Sequence, residues 1–175
     1  RIAVQAALTG HLVLSTLHTN DAPSSITRLV NIGIDAYLIA ASLNAVLAQR
    51  LVRKICPACK EPFKVPEAML PLISKVGLQP EQILHGAGCA QCRGSGYSGR
   101  LGIYELLVVD DRLREMINSD ASVAAMRRAF CEGGGATLFD DGMEKVRQGV
   151  TTLEEILRVT QVYGQNEQED FAENR

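Results

Sequence analysis

No tryptophan occurs in this chain of 175 residues, and phenylalanine and tyrosine supply only four residues each. Single-stranded nucleic acid is gripped by stacking bases on such rings, so that class of function starts poorly supplied. Neither sign of charge dominates. The 18 Lys and Arg against 20 Asp and Glu leave a formal net charge of −2, which exerts no global pull on nucleic acid or anionic lipid. No apolar run approaches the roughly 20 residues of a membrane-spanning helix; the longest apolar-rich stretch, Ala36–Leu47, is interrupted by Ser42 and Asn44. The opening Arg1-Ile2-Ala3-Val4-Gln5 has neither an initiator methionine nor an A-x-A cleavage site, and reads as a start inside a larger polypeptide. What is present, 46% hydrophobic and 22% charged residues, is the composition of an ordinary globular core and surface.

The cysteines depart from that ordinariness. Four of the five stand as two C-x-x-C pairs, Cys56/Cys59 and Cys89/Cys92, and Cys131 stands alone. A secreted disulfide scaffold predicts an even count. An odd count with paired C-x-x-C spacing predicts a metal knuckle in a reducing compartment. Each pair can present two thiolates on a tight turn, and two pairs complete an all-thiolate tetrahedron with no open position for water or substrate, the signature of structural zinc. Two redox pairs are the alternative. The interval between the pairs is longer than in compact zinc ribbons, so it should form a small lobe of its own. His85 lies four residues before Cys89, but four thiolates already satisfy the ion, and it is read as a loop residue. Cys131, a lone cysteine ahead of three glycines, is read as a small buried hydrophobe and not a ligand.

Along the chain, residues 12–17 (Leu-Val-Leu-Ser-Thr-Leu) predict a strand apolar on both faces, as in a buried parallel sheet. Asn20 or Asp21 caps a following helix with Pro23 in its first turn, an apolar stripe of Ile26, Leu29 and Val30, and an end at Gly33. Asp35 opens a second helix to about Gln49, and Arg50–Ile55 alternates as a half-exposed strand. The order strand, helix, helix, strand suits an α/β sheet. Residues 56–100 hold five of the six prolines and all four paired cysteines, with periodicity only at Ala68–Val76. Tyr104–Val109 predicts a strand. Helices follow, capped by Asp110, by Asp120 and, in a Thr152/Glu155 capping box, ahead of Leu153–Val162, with one between them over Leu138–Gln148. The tail is polar and acidic, with nothing to bury.

A second constellation is Thr9-Gly10-His11-Leu12-Val13-Leu14-Ser15-Thr16-Leu17-His18-Thr19-Asn20-Asp21. Ligands of open α/β sheets bind beyond the carboxyl ends of strands, which is where His18 and Thr19 would lie. His11 would sit at the other end, roughly 23 Å away at about 3.3 Å per residue. By spacing alone, a capping or core histidine is the plainer reading of His18.

Residues 6–22, Ala6-Ala7-Leu8 through Asp21-Ala22, resemble the His box of the secretion ATPase superfamily. The resemblance continues through Arg28-Leu29, Gly33-Ile34, Ala48-Gln49-Arg50-Leu51-Val52-Arg53 and the cysteine pairs. It goes on through Gly96-Tyr97-x-Gly99-Arg100-x-Gly102-Ile103-Tyr104-Glu105 and Asp141-Gly142-x-x-Lys145-Val146-x-x-Gly149-x-Thr151-x-x-Glu154. It covers about residues 2–162 and points to the type II secretion and type IV pilus assembly ATPases, since the retraction ATPases lack the four cysteines. It implies an α/β fold: the C-terminal part of a RecA-like P-loop ATPase domain (1–55), a tetracysteine zinc lobe (56–100), a helical C-terminal subdomain (101–162) and a disordered acidic tail (163–175). It also implies a cytoplasmic homo-hexamer, peripheral at the inner face of the bacterial inner membrane. ATP hydrolysis there drives pseudopilus or pilus assembly through inner-membrane platform proteins. ATP and Mg²⁺ would be held mainly by upstream motifs; G-x-x-x-x-G-K-[ST] does not occur in this chain, which is therefore expected to be inactive alone. Within that resemblance His18 faces the nucleotide with Thr19, His11 serves structure or a subunit contact, and Arg28 and Arg50 match arginines that reach phosphates or pair at a surface.

A zinc-ribbon interaction or nucleic-acid module is the competing reading. Residues 53–100 carry seven Lys and Arg against three Glu, but only Phe63 and Tyr97 could stack on bases. The His box is left unexplained, and no nucleic-acid partner is expected.

Overall fold

A computed structural model describes residues 2–160; the acidic tail expected from residue 163 lies outside the described residues. The elements are α1 (Ile2–Leu8), α2 (Ala22–Asn31), α3 (Ala36–Ser42), β1 (Ala45–Ile55), β2 (Lys60–Pro62), α4 (Leu70–Lys75), β3 (Leu84–Gly86), β4 (Tyr97–Val108), α5 (Asp111–Asn118), α6 (Val123–Glu132), α7 (Leu138–Arg147) and α8 (Leu153–Val159). Among the described residues, β1 pairs with β4 and β2 with β3. Two compact units result, and they do not follow sequence order. The first comprises Arg1–Gln49 and Tyr104–Leu138, the second Arg50–Ile103 and the residues from Phe139 on.

In the first unit α2 begins where its sequence says it should. The Asp21 carboxylate accepts the amide of Ser24 at 2.9 Å, and Pro23 occupies the first turn, where no amide proton is needed. Gly33 takes the left-handed conformation (φ +84°) that closes the helix. Ile26 is buried and Leu29 packs on the core, whereas Val30 is exposed. The second helix, α3, stops at Ser42 instead of running to Gln49. From Ala45 the chain is strand, with Val46 and Ala48 turned toward the core and Ala45, Leu47 and Gln49 turned out. The alanines and leucine there suit a helix by propensity, and burial of alternate residues overrides that preference. Helix α5 is capped by Asp110, which accepts the Leu113 amide at 2.8 Å. The cap of α6 is Ser122, not Asp120: Ser122 accepts the Ala125 amide at 3.2 Å, while Asp120 sits at φ +54° outside the helix. Ile26, Ile39, Leu107, Leu113, Ile117 and Met126 form the centre of this core.

The expected strand over 12–17 is absent. The segment is not in a strand, and Leu12 and Leu14 are 84% and 88% exposed. A strand apolar on both faces needs neighbours to hydrogen-bond and to cover it, and no strand among the described residues pairs with it.

In the second unit β2 and β3 are antiparallel, with Lys60 opposite Gly86 and Glu61 opposite His85. His85 thus lies in a strand rather than a loop, edge-on to the Phe63 ring at 5.3 Å and 3.3 Å from the Glu61 carboxylate. Strand β4 begins at Tyr97, well ahead of the expected Tyr104. Thr152 caps α8 by accepting the Glu155 amide at 3.2 Å. The reciprocal half of the expected capping box goes elsewhere. The fully buried Glu155 carboxylate accepts the Arg53 amide at 2.9 Å and its guanidinium at 2.6 Å, and Arg158 at 2.9 and 3.0 Å. The Arg53 guanidinium also lies over the Tyr97 ring at 4.0 Å, and the Tyr97 hydroxyl is 3.0 Å from Thr152 Oγ1.

Burial alone would push the Glu155 carboxyl up, but the hydrogen bonds and charges of Arg53 and Arg158 outweigh it and hold the group at about 2, against an ordinary 4.5. A carboxylate with a lowered folded-state value stabilises the fold above its unfolded value and loses that contribution as pH falls toward the folded one. Glu155→Gln should therefore lower stability by about 2–3 kcal/mol at pH 7. The deficit should shrink between about pH 5 and pH 2, as read from thermal melts across that range.

Candidate functional site

The four paired cysteines converge. Cys56 and Cys89 Sγ lie 3.9 Å apart, Cys59 and Cys92 3.8 Å, and Cys89 and Cys92 3.8 Å, and all four sulfurs fall within 4.8 Å of one another. Zinc–thiolate bonds of about 2.3 Å to tetrahedral corners place sulfurs ~3.8 Å apart. A disulfide would need about 2.05 Å, and all four thiols are free. The cluster is shielded: Cys56 and Cys92 are buried, Cys59 and Cys89 half-buried.

Each ligand pair rides on a tight turn. The Cys59 amide donates to the Cys56 carbonyl at 3.3 Å, and the Gly94 amide to the Cys89 carbonyl at 2.9 Å. Further amides point at the sulfurs themselves: Gly88 donates to Cys59 Sγ at 3.3 Å, and Cys89 and Gly96 donate to Cys92 Sγ at 3.2 Å each. Such donors favour the thiolate and orient it for a metal. They act most strongly at Cys92, whose thiol is lowered to about 6, chiefly by the Cys89 amide; desolvation pushes Cys59 up to about 12. Two glycines make the geometry possible. A Cβ on Gly86 would lie 2.0 Å from the Gly96 carbonyl oxygen, and one on Gly96, which also sits at φ +75°, would lie 2.4 Å from the Gly86 oxygen. Cys131 is exposed, not buried as expected, and is not part of the cluster. It ends a helix whose buried face is carried by Met126, Ala129 and Phe130.

The other expected site residues are not brought together in the same way. His11 is exposed, its Nδ1 3.1 Å from Thr9 Oγ1. His18 is exposed in the irregular segment before α2, and half-buried Thr19 holds Ser25 Oγ at 2.8 Å through its own hydroxyl. Arg28 projects from the exposed side of α2, and Arg50 is half-buried on β1.

Two buried carboxylates at the start of α2 carry a role that the linear sequence does not reveal. Asp21 pairs with Arg127 of α6, besides capping α2. Glu105 accepts the amides of Ala22 at 2.8 Å and Leu138 at 3.1 Å. Desolvation raises the Glu105 carboxyl, the two amides and Arg127 acting against it and Asp21 with it. Both acids belong to the motifs quoted above, but only the fold discloses their partners.

The profile of the family described as Type II/IV secretion system protein matches residues 1–158. The chain belongs to that family. This family member is 52% identical over 159 residues to the Type II secretion system protein E of Pseudomonas aeruginosa, a match of 91% of this chain and 32% of that protein. To the Type II secretion system ATPase E of Vibrio cholerae it is 50% identical over 160 residues, with the same 91% and 32%. To the Type IV pilus assembly ATPase PilB of Thermus thermophilus it is 47% identical over 162 residues, 91% of this chain and 18% of that one. It thus spans a third or less of the length of these relatives. Among solved structures it resembles the pilus retraction motor PilT with bound ADP (TM-score 0.60, 23% identity, 93% of this chain and 36% of that one). It also resembles the ATPase DotB of Legionella pneumophila (TM-score 0.56, 19% identity, 89% and 33%). At such identities the likeness is one of fold. The fold class expected from sequence holds: the chain is a mixed α/β fold like that of these two neighbours, and it carries a tetracysteine cluster.

Gly96→Ala should cost the fold about 2–3 kcal/mol, because strain at a left-handed position and a clash with the Gly86 carbonyl add. Gly94→Ala, strained at φ +76° but with nothing within 4 Å of its Cβ, should cost about 1 kcal/mol. Thermal melts compare the two, and alkylation of the four clustered cysteines should quicken in Gly96→Ala alone.

Proposed function

We propose that this chain works as the C-terminal part of a hexameric secretion ATPase, which couples ATP hydrolysis to pseudopilus or pilus assembly through an inner-membrane platform. The observation that carries the reading is the match of residues 1–158 to a family whose relatives, about half identical, are named as secretion and pilus assembly ATPases. In this reading the chain supplies one element of a larger site. His18 donates a hydrogen bond to a phosphate oxygen that gains charge as the bond to it breaks, and Thr19 lines the same place. Arg28 and Arg50 reach phosphates, and His11 serves packing or a subunit contact. Mg²⁺ and the phosphate-cradling loop belong to residues upstream. The protein sits in the cytoplasm and meets the membrane through its partners; among the described residues no helix is long and apolar enough to cross a bilayer.

Cys56, Cys59, Cys89 and Cys92 hold one Zn²⁺ in the same reading. The sulfur spacing and the amide donors support it. With four thiolates the ion has no open position, so it crosslinks two turns and does no chemistry on a substrate. One zinc per chain should be found by metal analysis, bound more tightly as pH rises because the thiols must lose protons to bind. Four metal-free thiols in a folded lobe would refute the assignment.

The reading of the activity is tested on a full-length protein carrying this segment. ATP turnover should be present there and absent from the 175-residue chain, since positioning by the missing loop and Mg²⁺ ligands supplies most of phosphoryl-transfer catalysis. His18→Ala should lower kcat by about 10²–10³ with melting temperature and ring size kept. His11→Ala should disturb stability or assembly at least as much as turnover. Unchanged turnover in His18→Ala would leave that residue a structural role only.

A further inference from the structure

We propose that Arg127 is a positioning residue for the nucleotide-facing segment: its guanidinium, paired with Asp21, sets where His18 and Thr19 stand. The inference rests on the role given to His18 under Proposed function. It starts from the chain around Thr19. Residues 11–19 form no regular element, and most of their side chains are exposed, so their direction is not set by a ladder of backbone hydrogen bonds. At its start the His11 amide donates to the Ala6 carbonyl at 3.1 Å; at its other end the segment is joined to α2. Thr19 Oγ1 lies 2.8 Å from Ser25 Oγ, the Ser25 hydroxyl donates to the Asp21 carbonyl at 3.4 Å, and the Asp21 carboxylate accepts the Ser24 amide.

Asp21 and Glu105 together put two carboxylates at the start of α2, one accepting the amide of Ser24 and the other that of Ala22. Both residues are buried, at 3% and 2% exposure. A helix N-terminus welcomes negative charge, but two neighbouring buried carboxylates raise each other's cost of ionisation. Arg127 is the cation that answers them. Its side chain is 18% exposed, it bonds Asp21 Oδ2, and its charge lowers the cost of the ionised Glu105. It comes from α6, whose Met126 and Phe130 belong to the core that also takes Ala22 and Ile26 of α2. The apolar contacts hold the helix; the ion pair holds the turn that leads into it. Asp21 follows Asn20 directly, so the pair anchors the chain at the C-terminal end of residues 18–20. With its guanidinium bonded to Asp21, Arg127 acts through that residue and is not a catalytic group itself.

The test is a double-mutant cycle in a full-length protein carrying this segment, with kcat and KM for ATP, melting temperature and ring size measured. Arg127→Gln should lower kcat by about 10²-fold, the scale of a displacement of about 1 Å at a catalytic group, with KM changed less than kcat. Arg127→Lys, which keeps the charge, should recover most of that loss. Placed on His18→Ala, Arg127→Gln should cost less than about threefold further, because residues acting through one another are not additive. Asp21→Asn keeps an N-cap oxygen and removes the charge. It should reproduce the Arg127→Gln loss, and it carries the test if Arg127→Gln fails to fold. Wild-type kcat in Arg127→Gln or Asp21→Asn would overturn the proposal, as would full multiplication of the Arg127→Gln and His18→Ala losses. Unchanged kcat in His18→Ala beside a loss in Arg127→Gln would instead remove the role of His18 on which the proposal rests.

Discussion

Buried backbone amides must find an acceptor, and this chain answers them with carboxylates from far along the sequence. Its helices are short, none longer than 10 residues among those described, so many amides fall at helix ends where no regular partner exists. Glu105 serves Ala22, 83 residues away, and Glu155 serves Arg53, 102 residues away. Each carboxylate is buried and each is answered by cations, Arg127 near Glu105 and Asp21, Arg53 and Arg158 at Glu155. An isolated charge at such sites would be costly; with amides and arginines around it, each acid becomes a joint. Within each unit these joints fix a helix start that apolar packing alone would leave free to slide.

The tetracysteine lobe solves the same problem with a different acceptor. The amides of Gly88, Cys89 and Gly96 end on sulfur, so the backbone of this lobe, poor in regular structure, is satisfied by the groups that would bind the metal. The close approach of Gly86 and Gly96 leaves no room for a side chain at either position. Ligand geometry and backbone geometry are therefore one constraint, and the spacing of the sulfurs is prepared by the turns around them.

The sequence made legible what depends on local chemistry. The caps by Asp21, Asp110 and Thr152, and the gathering of two C-x-x-C pairs, each follow from residues a few positions apart. What it concealed depends on distant neighbours. Ala45–Gln49 looks helical by composition and is a strand because alternate residues meet a core. Residues 12–17 look like a buried strand and are not one, because nothing among the described residues pairs with them. Asp120 is as good a cap by type as Ser122, and only the path of the chain decides between them. The Asp21–Arg127 pair spans 106 positions, and no periodicity announces it. The candidate ligands were readable to the residue; the residues that orient the segment before α2 were not.

The interleaving of the two units has a consequence for inheritance. The chain changes unit after Gln49, after Ile103 and after Leu138, and the first two of those points fall inside β1 and β4. No single crossover between related genes can exchange one unit whole for its counterpart; at either of the first two points it would join half of one strand to a stranger's continuation. The two units must therefore travel through evolution as one cassette, and a change in either is selected in the company of the other.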